Sequence, residues 1–232
     1  TYSDMVSRMG TFARGCTTPV IADADTGYGG LLNVRHTVQG YEAAGVAAIQ
    51  LEDQESPKKC GHTPGRRVIP AEEMALKIRV AAEARRSRDF LIVARTDART
   101  QHGLAEAIRR ARLYAEAGAD ILFVESPESE AEMAEICRAL AGVPLLANMV
   151  EGGRTPILPA SRLKELGYAI AIWPAAGFLA AAAALEHAYG ELKATGSTLG
   201  LPPEASYGFQ RMTELMGFPE VHAFERRWAQ EG

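Results

Sequence analysis

Residues 90–124 read FLIVARTDARTQHGLAEAIRRARLYAEAGADILFV and contain one complete unit of the pattern that runs through this chain. An apolar run at 90–94 is followed by a helical pattern at 104–117, by Gly118, and by a second apolar run at 121–124. Short apolar runs are typical of strands buried on both faces, as in parallel sheets. A glycine directly after a helix supplies the left-handed residue that ends it. The stretch therefore predicts two parallel strands joined by a helix.

The same unit recurs from one end of the chain to the other. The predicted strands lie at residues 19–23, 47–51, 90–94, 121–124, 145–148 and 169–173. The predicted helices lie at residues 2–13, 34–44, 71–86, 104–117, 129–140 and 159–166. Gly45 and Gly167 stand between a helix and a strand in the same way as Gly118. This alternation predicts a parallel α/β fold, either a barrel or a doubly wound sheet.

The composition is that of an average soluble globular protein, with 232 residues of which 47% are hydrophobic and 23% charged. A net charge of −4 leaves no basic footprint, so nucleic acid is not an expected partner. The sequence has no long uncharged apolar stretch and no signal-peptide pattern, so a membrane is not an expected partner either. Three widely spaced cysteines argue against a disulfide framework and predict a reducing compartment, by default the cytoplasm.

Polar residues cluster directly after the predicted strands. They are Asp23 and Asp25, Glu52 and Asp53, Arg95 and Asp97, Glu125, and Asn148 and Glu151. In a (β/α)8 barrel the carboxyl ends of all strands meet on one face, whereas a doubly wound sheet gathers only those near its switch point. Because one site that collects all these groups requires a barrel, we predict a (β/α)8 TIM-type barrel.

The predicted strands number six, whereas a (β/α)8 barrel has eight. A βα unit takes roughly 30 residues, so the first two units are expected to be absent from this chain and to precede Thr1. The segment after Gly196 contains proline and glycine and then two helical patterns, at 210–216 and 221–229. We therefore predict a catalytic barrel over residues 1–196 and a C-terminal helical tail over residues 197–232.

Residues 22–30 read ADADTGYGG and form the first motif with chemical content. Asp23 and Asp25 are two apart on an extended segment, so their side chains point the same way. Two close carboxylates repel each other unless a cation intervenes, and Mg²⁺ prefers such oxygen ligands. Glu52 ends the next predicted strand and is expected beside them, which favours a metal site. An Asp-rich turn that caps the following helix is the alternative.

Residues 54–70 read QESPKKCGHTPGRRVIP and form a long polar loop after the second predicted strand, which we call the cysteine loop. Long loops are often lids, and this one is expected to be mobile without ligand and to close over the site with it. Cys60 stands among Lys58, Lys59 and His62, and neighbouring cations favour the thiolate form of a cysteine. Cys60 is therefore a candidate acid/base or nucleophile. A solvated basic loop with an incidental cysteine is the alternative.

Other polar groups at the strand ends are candidates for binding an anion. Arg95 follows a very apolar run and can fork onto a carboxylate. A structural ion pair with Glu52 or Glu125 is the alternative for this arginine. Asn148 and Glu151 add an amide and a carboxylate after the fifth predicted strand, and a barrel mouth closed by salt bridges would have a similar pattern.

Six motifs in this order resemble the isocitrate lyase and phosphoenolpyruvate mutase superfamily, and within it the group of 2-methylisocitrate and 2,3-dimethylmalate lyases. The motifs are DADTGYG (23–29), LEDQ (51–54), PKKCGH (57–62), ARTDA (94–98), FVE (123–125) and NMVEGG (148–153). The resemblance runs from Thr1 to about residue 195. It implies an enzyme that depends on Mg²⁺, with Mn²⁺ as an alternative ion, and that acts on a small carboxylate.

The resemblance also implies a role for each candidate residue. Asp23, Asp25 and Glu52 would hold Mg²⁺, directly or through water. The substrate would be bound by Gly61, Arg95, Glu125, Asn148, Glu151 and Pro174. Cys60 would be the proton donor, with Lys58 and His62 supporting it. The implied reaction cleaves a carbon–carbon bond of a 2-hydroxy di- or tricarboxylate and releases a 2-oxo acid, such as pyruvate, and a second carboxylate.

Other activities of the superfamily are the alternatives, namely an oxaloacetate hydrolase or decarboxylase, or a phosphonate mutase. A non-catalytic metabolite-binding barrel is less favoured because the cysteine loop and the acidic residues are all present. Pro174 is typical of the lyases, and Leu179 follows Phe178 where methylisocitrate lyases carry arginine, which favours a dicarboxylate. The superfamily also forms dimers that exchange their last barrel helix, here residues 174–192, and that pair into homotetramers.

Overall fold

The computed structural model describes residues 1–61, 63, 65–203 and 206–229, and within these ranges strands alternate with helices. The strands are β1 (Ile21–Asp23), β2 (Ala48–Glu52), β3 (Leu91–Thr96), β4 (Ile121–Val124), β5 (Leu146–Asn148) and β6 (Ile170–Ile172). The helices are α1 (Tyr2–Gly15), α2 (Leu31–Ala43), α3 (Ala71–Ala84), α4 (Arg99–Glu116), α5 (Glu130–Ala139), α6 (Ala160–Leu166), α7 (Ala176–Thr195), α8 (Phe209–Leu215) and α9 (Phe218–Trp228). Each predicted strand and helix is present, with its ends shifted by a few residues.

The six strands are parallel to their neighbours. β1 to β4 form one sheet in chain order, in which Glu52 of β2 lies opposite Arg95 of β3. β5 and β6 form a second parallel pair. A parallel bridge between Leu122 and Leu145 joins β4 to the segment that leads into β5. The predicted α/β fold with parallel strands is confirmed.

Glycines end three of the helices, as the sequence predicts. Gly45, Gly118 and Gly167 have φ angles of +88°, +108° and +113°, which residues with a side chain rarely adopt. Gly103 interrupts α4 with φ +83° and ψ +170°. The regular part of α4 therefore begins at Leu104, where the helical pattern of the sequence begins.

The hydrophobic core has two layers because side chains along a strand alternate between the faces of the sheet. The larger layer lies between strands and helices and includes Ile49, Leu51 and Ile92. The smaller layer lies on the other face, and it consists of Ala48, Val93, Ile121, Phe123 and Leu146, with Leu91, Ile170 and Ile172 packed against it.

The face of the sheet that carries the smaller layer changes from apolar to polar along the strands. Residues two or four positions further along share this face, and these are Glu52, Arg95, Glu125 and Asn148. Hydrophobic side chains thus fill the amino ends of this face, and charged side chains stand at the carboxyl ends. The fold positions a polar site there because the parallel strands all end on the same side.

Asp53 is the centre of a hydrogen-bond network that joins β2 and β3 to α4. Its buried carboxylate accepts hydrogen bonds from the Thr96 hydroxyl (2.7 Å), the Asp97 N–H (2.8 Å), the Tyr114 hydroxyl (2.7 Å) and Arg110 (3.1 Å). Burial raises the pKa of Asp53, and the Asp97 N–H and the two hydroxyls oppose that rise. A buried acid is tolerated when its oxygens are fully bonded, so this network keeps the ends of β2 and β3 in register.

The chain divides into two compact units, Thr1–Pro174 and Ala175–Gly232. The first contains the six strands and α1 to α6, and the second contains α7, α8 and α9. No described residue of these last three helices is buried. The division into a barrel over residues 1–196 and a helical tail over residues 197–232 stays a prediction. None of the helices in the described ranges has the length and apolarity needed to span a membrane.

Removing the Tyr114 hydroxyl should test the importance of the Asp53 network. Tyr114→Phe keeps the buried ring but deletes one donor to a buried carboxylate, and we expect the free energy of unfolding to fall by about 1.5–3 kcal/mol. Urea denaturation would measure this change. Tyr189→Phe is the matched control, because Tyr189 is 66% exposed, and it should change stability by less than about 0.5 kcal/mol. Equal unfolding midpoints for the two variants would contradict the role of the network.

Candidate active site

Three acidic side chains at the ends of β1 and β2 surround the ammonium group of Lys58. The Lys58 Nζ lies 2.7 Å from Asp25 Oδ1, 3.2 Å from Asp23 Oδ2 and 3.9 Å from Glu52 Oε1. Because all three oxygens lie within 3.9 Å of the same nitrogen atom, the three carboxylates lie close to one another. The structure brings together the three residues that the sequence assigned to a metal site.

The backbone after β1 is shaped to hold two acids on one side. Asp25 has a φ of +51°, a left-handed conformation that aspartate tolerates better than most residues. Its N–H donates to Asp23 Oδ1 (2.8 Å). The Tyr41 hydroxyl donates to the Asp23 carbonyl (3.0 Å), and the buried Lys77 donates to the Thr26 carbonyl (3.1 Å). Because α2 and α3 supply these donors, the turn is supported by the helix layer of the fold.

Glu52 is the most deeply buried of the three acids. Among the described residues, neither of its carboxylate oxygens has a hydrogen-bond partner. The nearest cations are Arg95, with Nε at 3.6 Å, and Lys58. Burial raises the pKa of Glu52 to about 8, although Arg95 opposes this shift. A buried carboxylate without hydrogen bonds needs a proton or a cation, so of the three acids Glu52 has the environment that a bound cation would change most.

The three acids fit a hard divalent cation. All are carboxylates, and the side chains of Asp23 and Asp25 are partly exposed, so that water or substrate can reach an ion held by them. Within the described ranges, no three Asp, Glu, His or Cys side chains are spaced as a ready-made metal site. The Lys58 ammonium accounts for this spacing, because it lies among the acids and supplies the positive charge there.

Arg95, at the end of β3, stands in a second cluster next to the three acids. Its guanidinium makes two parallel hydrogen bonds to Asp97, Nε to Oδ2 and Nη2 to Oδ1, both 2.9 Å. It also lies 3.2 Å from Glu125 Oε2 and over the ring of Phe123. Burial disfavours the charge of Arg95, but Glu125 and Asp97 outweigh it and raise the pKa of this guanidinium. The structural ion pairs with Glu52 and Glu125 are present, and they restrict the position of the Arg95 guanidinium.

Glu125 connects β4 to β5 and to the cysteine loop. Its Oε2 accepts a hydrogen bond from Asn148 Nδ2 (3.0 Å), and the Ser126 hydroxyl lies 3.1 Å from both Glu125 Oε1 and the Gly61 carbonyl. A Cβ atom on Gly61 would lie 2.5 Å from Arg95 Nη2, so a residue with a side chain cannot approach this closely. Asn148 Oδ1 is buried and has no hydrogen-bond partner in the described part of the chain. It is therefore available to a ligand.

Cys60 is exposed between Lys58 and Gly61, the two residues through which the loop enters the site. The N–H and the hydroxyl of Thr63 donate to the Cys60 carbonyl at 3.0 Å and 2.8 Å. These two hydrogen bonds restrain the Cys60 carbonyl, and the next residue, Gly61, lies against Arg95. His62, which the sequence analysis paired with Cys60, lies outside the described residues.

Two residues that the sequence analysis assigned to substrate binding lie outside both clusters. Glu151 is exposed in the turn that follows β5, and Pro174 is exposed after β6. Within the described ranges, no hydrogen bond or ion pair joins Glu151 to the acidic residues or to Arg95. A role for Glu151 or Pro174 stays a prediction.

Three further residues belong to the site. Asp97 was predicted to lie among the polar groups after the strands but received no individual role, and Arg66 and Ser126 were not predicted to be site residues. Asp97 lies two positions after Arg95 and shares its face, a spacing that the sequence does reveal. Arg66 donates to Asp97 Oδ1 (2.7 Å), but nothing in the sequence separates it from its neighbour Arg67. Ser126 has no distinguishing sequence signal, because its contacts with Glu125 and Gly61 depend on the path of the loop.

The comparison with known families agrees with this arrangement of strand ends. A profile of the phosphoenolpyruvate phosphomutase family matches residues 1–193. The chain belongs to this family. Its relatives include 2,3-dimethylmalate lyase of Eubacterium barkeri, 47% identical over 99% of this chain and 78% of that protein. Another is 2-methylisocitrate lyase of Aeropyrum pernix, 43% identical over 99% of this chain and 72% of that protein. The chain is an enzyme of this family, related to named lyases.

Solved structures of the family share the fold. A crystal structure of 2,3-dimethylmalate lyase superposes with a TM-score of 0.90 at 38% identity, over 98% of this chain and 75% of that one. Phosphonopyruvate hydrolase in complex with oxalate and Mg²⁺ superposes with a TM-score of 0.85 at 30% identity, over 99% of this chain and 80% of that one. Two proteins with different named activities thus share the strand order described above.

Replacing Lys58 should strengthen the binding of a divalent ion to the acidic residues. In Lys58→Met the ammonium no longer competes for Asp23, Asp25 and Glu52, so the dissociation constant for Mg²⁺ should fall by roughly tenfold, equivalent to about 1.4 kcal/mol. Calorimetric titration of protein stripped with a chelator would measure it. Lys59→Met is the matched control, because Lys59 contacts Gln54 through its backbone N–H and carbonyl. Unchanged or weaker Mg²⁺ binding in Lys58→Met would show that the acids are not the ion's ligands.

Proposed function

We propose that this protein is a Mg²⁺-dependent carbon–carbon lyase that cleaves a small 2-hydroxy dicarboxylate of the 2,3-dimethylmalate type into a 2-oxo acid, such as pyruvate, and a second carboxylate. The observation that carries the proposal is the meeting of two clusters under one cysteine loop. One cluster is the three acids around Lys58, and the other is Arg95 with its carboxylate partners beneath Gly61. Similarity to 2,3-dimethylmalate lyase over 99% of the chain supports the same reaction.

Asp23, Asp25 and Glu52 would hold the Mg²⁺ ion, directly or through water, with Mn²⁺ as an alternative. The ion, when bound, supplies Lewis-acid stabilisation of negative charge on the substrate oxygens. Lys58 then leaves the three acids and is available to a substrate carboxylate or to Cys60. The unbonded oxygens of Glu52 support this assignment, because a cation would satisfy buried oxygens that have no hydrogen-bond partner among the described residues.

The substrate binds at the second cluster. Arg95 grips one substrate carboxylate through paired N–H groups, and the carbonyl oxygen of the Asn148 side chain accepts a hydrogen bond from the substrate. Gly61, Glu125, Glu151 and Pro174 complete the binding site. Leu179 follows Phe178 at the position where methylisocitrate lyases carry arginine, and this departure from their pattern favours a dicarboxylate over a tricarboxylate. Similarity to 2-methylisocitrate lyase keeps a tricarboxylate as the second candidate.

Cys60 completes the reaction as a proton donor. When the carbon–carbon bond breaks, the substrate hydroxyl gives its proton to a carboxylate at the strand ends, and its oxygen becomes the carbonyl oxygen of the 2-oxo acid. The electron pair of the broken bond stays on the carbon next to the carboxylate of the second product, and the Cys60 thiol protonates that carbon. Lys58 and His62 support the thiol. The loop closes over the bound substrate and excludes water, which strengthens every electrostatic interaction inside the site.

We also propose that the parallel strands belong to a (β/α)8 barrel. We propose further that the protein is a homo-oligomer, a dimer of dimers that exchanges α7 between subunits. α7 exposes large apolar side chains, among them Phe178, Leu185 and Tyr189, and no residue of this helix is buried. Exposed apolar surface of this kind marks an interaction site. A second subunit of the same chain is the partner that we expect to cover it.

Substituting Cys60 by serine should separate chemistry from binding. Serine is nearly isosteric, but a hydroxyl is a far weaker acid than a thiol, so kcat for 2,3-dimethylmalate should fall by ~10² to 10⁴ while KM changes little. Pyruvate release in the presence of Mg²⁺ is the assay, and a chelator should abolish it. Cys16→Ser is the matched control, because Cys16 is also exposed but lies after α1, away from the site.

Two outcomes would count against the lyase. If Cys60→Ser kept more than about a tenth of the wild-type kcat, the loss would be smaller than a proton donor accounts for, and a mutase or decarboxylase would fit better. If no 2-hydroxy di- or tricarboxylate released a 2-oxo acid while oxaloacetate was hydrolysed, the hydrolase would replace the lyase.

A further inference from the structure

Arg66 is buried although it lies in an exposed loop. Its side chain is 1% exposed, whereas that of its neighbour Arg67 is 74% exposed and pairs with Glu55 at the loop base. Arg66 Nη1 donates to Asp97 Oδ1 at 2.7 Å, and its Nη2 bonds to the Thr100 hydroxyl. The C-terminal end of the cysteine loop is therefore anchored inside the fold by one guanidinium.

Asp97 is shared between this loop anchor and Arg95. Its Oδ1 accepts hydrogen bonds from Arg66 Nη1 and from Arg95 Nη2, and its Oδ2 accepts one from Arg95 Nε. The side chain of Asp97 is completely buried, and its own N–H is held by Asp53. One fixed carboxylate therefore divides its hydrogen-bonding capacity between two arginines.

Because Arg66 and Arg95 both donate to Asp97 Oδ1, the strength of one hydrogen bond depends on the strength of the other. A ligand carboxylate that takes hydrogen bonds from Arg95 Nη2 weakens the pull of that group on Asp97 Oδ1. The freed charge on Oδ1 then strengthens the bond to Arg66, because charge-assisted hydrogen bonds respond to the charge available on the acceptor. Gly61 lies against Arg95 Nη2 at the other end of the same loop segment, so the loop contacts this group of atoms at two places.

We infer that Arg66 is a positioning residue that couples carboxylate binding at Arg95 to the placement of the Cys60 loop, acting through Asp97. The inference rests on the proposed role of Arg95 as the residue that binds the substrate carboxylate. Arg66 touches neither the substrate nor the three acids. It holds the loop in the position from which Cys60 reaches the site once a ligand is bound.

The test compares two adjacent arginines of equal charge, Arg66→Met and Arg67→Met. The probe is oxalate with saturating Mg²⁺, and the readout is the rate at which a lysine-specific protease cuts after Lys58 or Lys59, identified by fragment mass. In the wild type and in Arg67→Met, oxalate should slow this cleavage by roughly 5- to 150-fold, the usual range of coupling between two sites. In Arg66→Met, oxalate should bind within about threefold of the wild-type affinity but slow cleavage by less than about threefold.

Kinetics provide a second readout that a purely structural role would not give. Arg66→Met should lower kcat by at least about tenfold, a change of about 1.4 kcal/mol, with KM nearly unchanged, because Arg95 still binds substrate while Cys60 is misplaced. Arg66→Lys keeps the charge but lacks the fork that bonds Asp97 and Thr100 together. This variant should therefore recover only part of the loss, and it takes over the test if Arg66→Met does not fold.

Different negative results would contradict the coupling and the proposed role of Arg95. Full protection of the loop by oxalate in Arg66→Met, or in Arg66→Lys if only that variant folds, would overturn the coupling. Wild-type protein that binds oxalate without any protection of the loop would overturn it as well and leave the proposed reaction standing. Wild-type protein that binds no oxalate, or Arg95→Met that binds it as tightly as wild type, would instead contradict the proposed role of Arg95 and the coupling with it.

Discussion

Mutual neutralisation of buried charges at the carboxyl ends of the strands is the constraint on which this structure depends. Glu52, Asp97 and Glu125 have no exposed side-chain surface and stand around one guanidinium, that of Arg95. Such a group of acids would repel each other strongly in a low-dielectric interior without cations among them. Arg95 and the loop residue Lys58 supply those cations, so the strand ends and the loop form one electrostatic unit.

This constraint explains why the cysteine loop forms part of the site, although loops normally lie on the protein surface. The loop contributes an ammonium to the three acids at Lys58, a side-chain-free approach to Arg95 at Gly61, and a buried guanidinium to Asp97 at Arg66. Each contact joins the loop to a charged side chain at the strand ends and also limits where Cys60 can lie. The proton donor that we propose is carried on this loop and needs such restraint, because a misplacement of about 1 Å can cost ~10²-fold in rate.

Membership of the phosphoenolpyruvate phosphomutase family is consistent with a scaffold that supports several reactions. The lyases and the hydrolase that resemble this chain share its strand order while differing in named activity. Barrels permit this because the strands supply a rigid ring of charged groups and the loops supply the chemistry. In this chain the charged groups at the strand ends are the acids and Arg95, and the loop that contacts them carries Cys60.

The sequence by itself determined the alternation of strands and helices, the glycine helix ends and the set of polar residues after the strands. These depend on local periodicity and on backbone conformations that one residue type adopts readily. Only the tertiary structure decided which of those residues meet: Lys58 among the three acids, Arg66 rather than Arg67 at Asp97, and Glu151 outside both clusters. Such contacts join residues far apart in the chain, and whether a charge is buried or solvated depends on the packing of the whole fold, which no local pattern records.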